Sequence, residues 1–110
     1  MNFNERVYLL LKKIPNSKVS TYKEIARALN TKAYQAVGNA LNKNKYPELY
    51  PCYKIINSNG NLGGYSLGLN LKIKKLKKDG IEIKNNRINL KKYLFKFKKS
   101  ESYIKAHFTS

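Results

Sequence analysis

Residues 21–43 read TYKEIARALNTKAYQAVGNALNK, and the fold turns on how this stretch divides. Thr21 and Glu24 stand three apart, the spacing at which each side chain of a capping box satisfies a free backbone donor of the other. Tyr22, Ile25, Ala26 and Leu29 follow as one apolar stripe, so a helix is expected over about 21–29. Asn30-Thr31-Lys32 is a polar turn. A second helix is expected over about 33–43, with Ala33, Val37, Ala40 and Leu41 facing inward. Two short helices around a tight polar turn make a helix-turn-helix pattern. The second helix is rich in small residues: Ala33, Ala36, Gly38 and Ala40. They suit close packing on a neighbouring helix and close approach to another surface equally well. Gly38 costs a helix about 0.5–1 kcal/mol relative to alanine, so it answers one of those needs.

Upstream, Phe3, Val7, Leu10, Leu11 and Ile14 fall at helical spacing, with Asn2 or Asn4 to cap the start and Pro15 to stop it. Val19-Ser20 is a short link. Downstream, Asn42 to Pro47 is a polar loop, and residues 49–57 form a mostly apolar, extended segment. Residues 57–61 are a dense turn signal, and a glycine-rich loop follows to Gly68 without the order of a phosphate-binding motif. Leu69, Ile73 and Leu76 reopen a helix that stops at Asp79-Gly80. Its lysines, 72, 74, 75, 77 and 78, read as a solvated face. Residues 81–83 and 88–90 alternate around Asn85-Asn86 as a small β-hairpin. Tyr93, Phe95 and Phe97 suggest a further strand, and residues 99–110 look loosely ordered. The expected fold is mostly α with small β elements: a helix-turn-helix or winged-helix-like domain with a short C-terminal hairpin.

Composition sets the limits. A chain of 110 residues, 42% hydrophobic, is one domain able to bury a core without metal or disulfide. One cysteine excludes an internal disulfide, and one cysteine with the single His107 cannot build a zinc site. No apolar run reaches the roughly 18 residues of a membrane span, and no signal-peptide pattern opens the chain. A cytoplasmic protein with a reduced thiol is expected. The formal net charge is +17 and is spread along the chain: residues 1–80 hold 15 basic and 4 acidic side chains, residues 81–110 hold 8 and 2. Such a body points to a polyanion, most often nucleic acid, although a lysine-rich composition makes basic surfaces for any function.

The only cysteine lies in Tyr50-Pro51-Cys52-Tyr53-Lys54-Ile55-Ile56. A lone cysteine in an apolar run is usually a small core residue. Here Pro51 fixes the backbone ahead of it, and Lys54 places a cation nearby that favours a thiolate.

Together these pieces resemble the active-site domain of O6-alkylguanine-DNA alkyltransferases. The resemblance is carried by residues 19–22, 36–41, Asn44, Pro51-Cys52, residues 63–66 and Gly68-Leu69, in order over about residues 5–80. Residues 1–80 are the expected active-site part, and 81–110 a hairpin and basic tail of the same domain. The resemblance implies a monomer that binds double-stranded DNA containing O6-alkylguanine and rotates the damaged base out of the helix. It implies transfer of the alkyl group irreversibly to Cys52, with no cofactor and no metal. It implies that Tyr22 assists base rotation and protonates the guanine, and that Asn44 holds the active-site loops. It implies that Tyr65 and Ser66 line the guanine pocket, and that Gln35, Ala36 and Gly38 face DNA. Lys54 is expected to face the substrate too. A location on the nucleoid follows, and the separate N-terminal domain of most such enzymes has no counterpart in these residues.

Three departures stand out. Tyr53 occupies the position of the family histidine that links the cysteine to an acid. Gln35 occupies that of the arginine that fills the gap left by the rotated base. Asp79 stands for a glutamate. These changes keep two further readings open: a non-enzymatic module that binds alkylated guanine and recruits repair factors, and a plain winged-helix DNA binder. For Asp79 a simple helix-end role is equally consistent.

Overall fold

The computed structural model describes residues 1–97. The first helix, α1, spans Phe3–Lys13; Asn2 caps it by accepting the Glu5 amide at 2.8 Å, and Lys12 and Lys13 sit in its last turn. Strand β1 (Ser20–Thr21) leads straight into α2 (Tyr22–Ala28). Thr21 caps α2 by accepting the Glu24 amide at 3.1 Å. The reciprocal half of the box is diverted: the Glu24 carboxylate takes Arg27 Nη2 at 2.6 Å. Helix α3 (Tyr34–Asn42) follows the turn, so the helix-turn-helix forms as expected. Ala33 is the residue before α3 and is exposed rather than inward; Val37, Ala40 and Leu41 carry the buried face.

The stretch expected to be extended is broken. Cys52–Lys54 form a single 3-10 turn, and only Ile55–Ile56 are strand, β2. Pro51 starts that turn with φ −76°, close to the value its ring imposes. The two short strands pair in parallel, Ser20 with Ile55 and Thr21 with Ile56. Successive strand residues point to opposite faces. Ile55 accordingly joins a core of Val7, Leu10, Leu11, Ile25, Val37 and Cys52, while Ile56 joins a second of Val19, Leu62, Leu76, Ile81, Ile88 and Tyr93. Each fully buried Leu, Ile or Val contributes about 1.5–3 kcal/mol. The sheet therefore holds the Cys52 turn at the seam between two apolar clusters. Tyr8 ties α1 to α3 by donating to the Ala40 carbonyl at 2.7 Å.

Helix α4 (Leu69–Lys78) ends at Asp79, and Gly80 takes the left-handed φ of +85°. The expected hairpin shrinks to its tip. Asn85 and Asn86 both have positive φ, and the Lys84–Arg87 bridge closes the turn with no longer ladder. Ile81 and Ile88 are drawn into the second core instead, and Leu90–Tyr93 form the short helix α5. The further strand expected from Tyr93, Phe95 and Phe97 does not form: Tyr93 ends α5, and only an isolated parallel bridge joins Leu94 to Val19. Residues 99–110, His107 among them, lie outside the described residues. No helix among the described residues is long and apolar enough to cross a membrane.

Candidate functional site

Cys52 is 7% exposed and opens the 3-10 turn, its amide donating to the Tyr50 carbonyl at 2.8 Å. Asn44 fixes the loop before it from both ends: Nδ2 donates to the Tyr50 carbonyl at 2.7 Å, and Oδ1 accepts the Tyr46 amide at 3.0 Å. Asn44 thus bridges Tyr46 and Tyr50 across this loop.

Three tyrosines feel the charge of Cys52. Tyr8, Tyr22 and Tyr65 all have their hydroxyl acidity weakened, first by burial and then by the negative charge a Cys52 thiolate places beside them; Tyr65 is pushed up to about 12. The Tyr65 hydroxyl is buried and has no hydrogen-bond partner among the described residues. Tyr22 is half-buried at the start of α2 and lines an open groove with Gln35 and Gly38. Tyr22 and Tyr65 were expected near the cysteine from sequence. Tyr8 was not, since its position on α1 carries no motif.

Lysine 72 is the larger surprise. It is fully buried, not part of a solvated face, and its Nζ donates to the carbonyls of Ile55 at 2.7 Å and Gly64 at 3.0 Å. Burial lowers its pKa from 10.5 to about 8, while the charge of Cys52 pulls in the opposite direction. The Lys72 ammonium is thus a buried cation close enough to Cys52 for the two to interact by charge. The signal was present in the spacing: Lys72 is four residues before the fully buried Leu76, on the same helix face.

Lys54, expected to face the substrate, is 3% exposed. The turn directs its ammonium beneath the end of α1, where it donates to the carbonyls of Pro15 at 3.0 Å and Ile14 at 3.3 Å. Its remaining partner is Asp79 Oδ2 at 3.6 Å. Helix ends leave carbonyls without intrahelical donors, and Lys54 fills that need.

Asp79 is anchored as a helix-end residue. Its Oδ1 accepts the Ser17 amide at 3.0 Å, and its carbonyl accepts the Ser17 hydroxyl at 2.9 Å. Tyr53 lies beside it, half-buried, its pKa raised to about 12 by burial first and then by the charge of Asp79. The pair interact electrostatically, but no well-formed hydrogen bond joins them, since Asp79 Oδ2 has no hydrogen-bond partner among the described residues. Tyr53 and Asp79 line a cavity of about 540 Å³ with Lys75 and Glu48, and Lys75 Nζ stands 5.7 Å from the Tyr53 ring centre. Cys52 does not line this cavity.

On the helix-turn-helix, Gln35 is exposed, Ala36 is half-buried, and a Cβ on Gly38 would meet nothing within 4 Å. No side chain caps α3. Ser66 is exposed on the loop after Tyr65. The open face of α3 and the Cys52 turn flank Tyr22.

Residues 2–81 match the family described as 6-O-methylguanine DNA methyltransferase, DNA binding domain. A bifunctional methyltransferase/endonuclease of Picrophilus torridus is 52% identical over 90 residues, covering 81% of this chain and 30% of that protein. A methylated-DNA–protein-cysteine methyltransferase of Sulfolobus acidocaldarius is 46% identical over 82 residues, covering 74% and 52%. The chain thus spans about half or less of the length of these two relatives. Among solved structures, S. pombe Atl1 in complex with damaged DNA containing O6-carboxymethylguanine superposes with a TM-score of 0.78 at 31% identity, covering 86% of this chain and 95% of that one. Mycobacterium tuberculosis OGT in complex with DNA gives 0.68 at 34% identity, covering 72% and 50%.

Proposed function

Because the chain belongs to the family of the 6-O-methylguanine DNA methyltransferase DNA-binding domain, we propose that it binds double-stranded DNA containing O6-alkylguanine and takes the alkyl group onto Cys52. The observation that carries this reading is the buried sulfur set among Tyr8, Tyr22 and Tyr65 with the Lys72 ammonium beside them. The thiolate attacks the alkyl carbon, an S–C bond forms, and the C–O6 bond breaks. Its electron pair goes to the guanine, which gains a proton, with Tyr22 as the donor. Tyr65 and Ser66 line the pocket, Asn44 holds the loop, and Gln35, Ala36 and Gly38 meet the duplex. A thioether is a poor leaving group, so each chain acts once. Residues 1–80 supply the reacting groups, and the segment from 81 belongs to the same domain through Ile81, Ile88 and Tyr93. We take the acting form to be a monomer on the nucleoid that needs no cofactor.

The test is intact-mass measurement after incubation with an O6-methylguanine duplex. A gain of one methyl group, mapped to Cys52, is expected. Tight lesion binding without mass gain would instead support a damage-binding module. That second reading is favoured by the match to 95% of the length of Atl1 and by a Tyr53 hydroxyl that cannot serve as a base near neutrality.

Gln35 offers a smaller check. Its amide carries no charge to attract neighbouring phosphates, so Gln35→Arg should tighten duplex binding about 3- to 10-fold, the effect of one added phosphate contact at moderate salt. Gln35→Ala should weaken it by less. Equilibrium binding of the three proteins to one duplex decides; identical affinities would remove Gln35 from the interface.

A further inference from the structure

Tyr34, the first residue of α3, stands between two concavities. One, of about 600 Å³, is shared with Tyr22, Gln35, Gly38 and Asn57; the other, of about 390 Å³, with Lys23, Arg27 and Lys32. The ring is 48% exposed and belongs to neither apolar core, and its hydroxyl has no partner among the described residues. One turn further on, Gly38 leaves open space where a Cβ would stand. The side chain is therefore a ridge above a low floor, not a packing element.

The surroundings say what the ridge meets. Lys23 lines both concavities, and Arg27 keeps 63% of its side chain exposed despite its pairing with Glu24. An exposed aromatic face flanked by cations suits a ligand with negative charges at its edge and π faces inside, which is a nucleic acid strand. Every base presents a π face, so stacking on tyrosine is tolerant of sequence. Gln35 shares the groove but has no ring to offer.

We propose that Tyr34 stacks on the base flanking the extruded nucleotide and fills the space its departure opens. The proposal rests on the DNA-binding reading above and names which residue of α3 takes up the gap.

The experiment uses a duplex with O6-methylguanine and 2-aminopurine as its neighbour, whose fluorescence is quenched by stacking. With the native chain the neighbour should stay quenched on binding. Tyr34→Ala should brighten it and weaken binding about tenfold, within the range for one base–aromatic stack. Tyr34→Phe should keep both signals within about twofold. Lys23→Gln should lower the salt slope by about one and leave the fluorescence unchanged. Circular dichroism of each variant checks that the fold is retained. Native binding and fluorescence in Tyr34→Ala would overturn the proposal while sparing the DNA reading. A Tyr34→Phe variant as weak as Tyr34→Ala would also overturn it, because the hydroxyl and not the ring would then matter. A native chain that binds no duplex at all overturns both.

Discussion

Lys72→Met should slow alkyl transfer at pH 7 by about 10- to 100-fold, the effect of removing one close cation from a reacting thiolate. The ammonium beside Cys52 is enclosed, so solvent screens it little. The variant also leaves the Ile55 and Gly64 carbonyls without their donor, at about 1–3 kcal/mol for each buried acceptor left unpaired. A purely structural loss would be the same at every pH. An electrostatic one shrinks as pH rises. Above about 8 the native lysine gives up its own proton, so the sulfur then meets no cation at position 72 in either protein. Single-turnover rates from pH 6 to 9.5 should therefore converge at the alkaline end. A constant ratio would assign Lys72 to scaffolding alone. The same group has an unusual effect on stability. Its folded pKa of about 8 lies below the ordinary lysine value of 10.5, so between those pH values the unfolded chain binds more protons. Its contribution then rises with pH across that window. The native-minus-variant difference in Tm should increase from pH 7.5 to 10.

Tyr53→His should raise the transfer rate near neutrality by about 10- to 100-fold, the lower range for a positioned general base. Burial and Asp79 hold the Tyr53 hydroxyl protonated until about pH 12. The native rate should thus gain nothing from Tyr53 near neutrality. A histidine titrates near 6.5 and can take up a proton near neutrality, and Asp79, fixed by Ser17, lines the same cavity as position 53. The variant profile should level off above about pH 7. A native rate already flat at pH 6, unimproved by histidine, would show that Cys52 is activated by other means.

Local chemistry made much of this fold legible. Thr21 caps the helix it was expected to cap, and Asn2, one of the two asparagines open for that role, caps α1, because a cap is decided within three residues. Three features escaped for the opposite reason. Lys72 read as a surface cation, and Lys54 as one facing the substrate, because lysine is seldom fully buried. Both are buried because distant carbonyls, at Ile14 and Pro15 for one and at Ile55 and Gly64 for the other, were left without donors. The hairpin strands failed because alternation cannot tell cross-strand pairing from two isoleucines drawn into one core. The cysteine and its neighbours Tyr22, Tyr65 and Asn44 were legible only as an ordered set. Tyr8 had no such company.

The seam beside β1 has a consequence for the order of assembly. Four hydrogen bonds join residues 18–20 to residues 92–95: Lys18 Nζ to the Lys92 carbonyl, Val19 N to the Tyr93 carbonyl, Phe95 N to the Val19 carbonyl, and Ser20 Oγ to the Phe95 carbonyl. These contacts, 74 and 75 residues apart for the two side-chain bonds, close a long loop, and long loops close late. Ser20 also pairs with Ile55, next to the Cys52 turn. On the ribosome, α1 to α3 can gather as soon as they emerge, but the edge that fixes β1 must await residue 95. A nascent chain halted after Gly80 should show rapid amide exchange at Val19, and the released chain slow exchange. The edge of β1 would then be among the last parts of the molecule to become rigid.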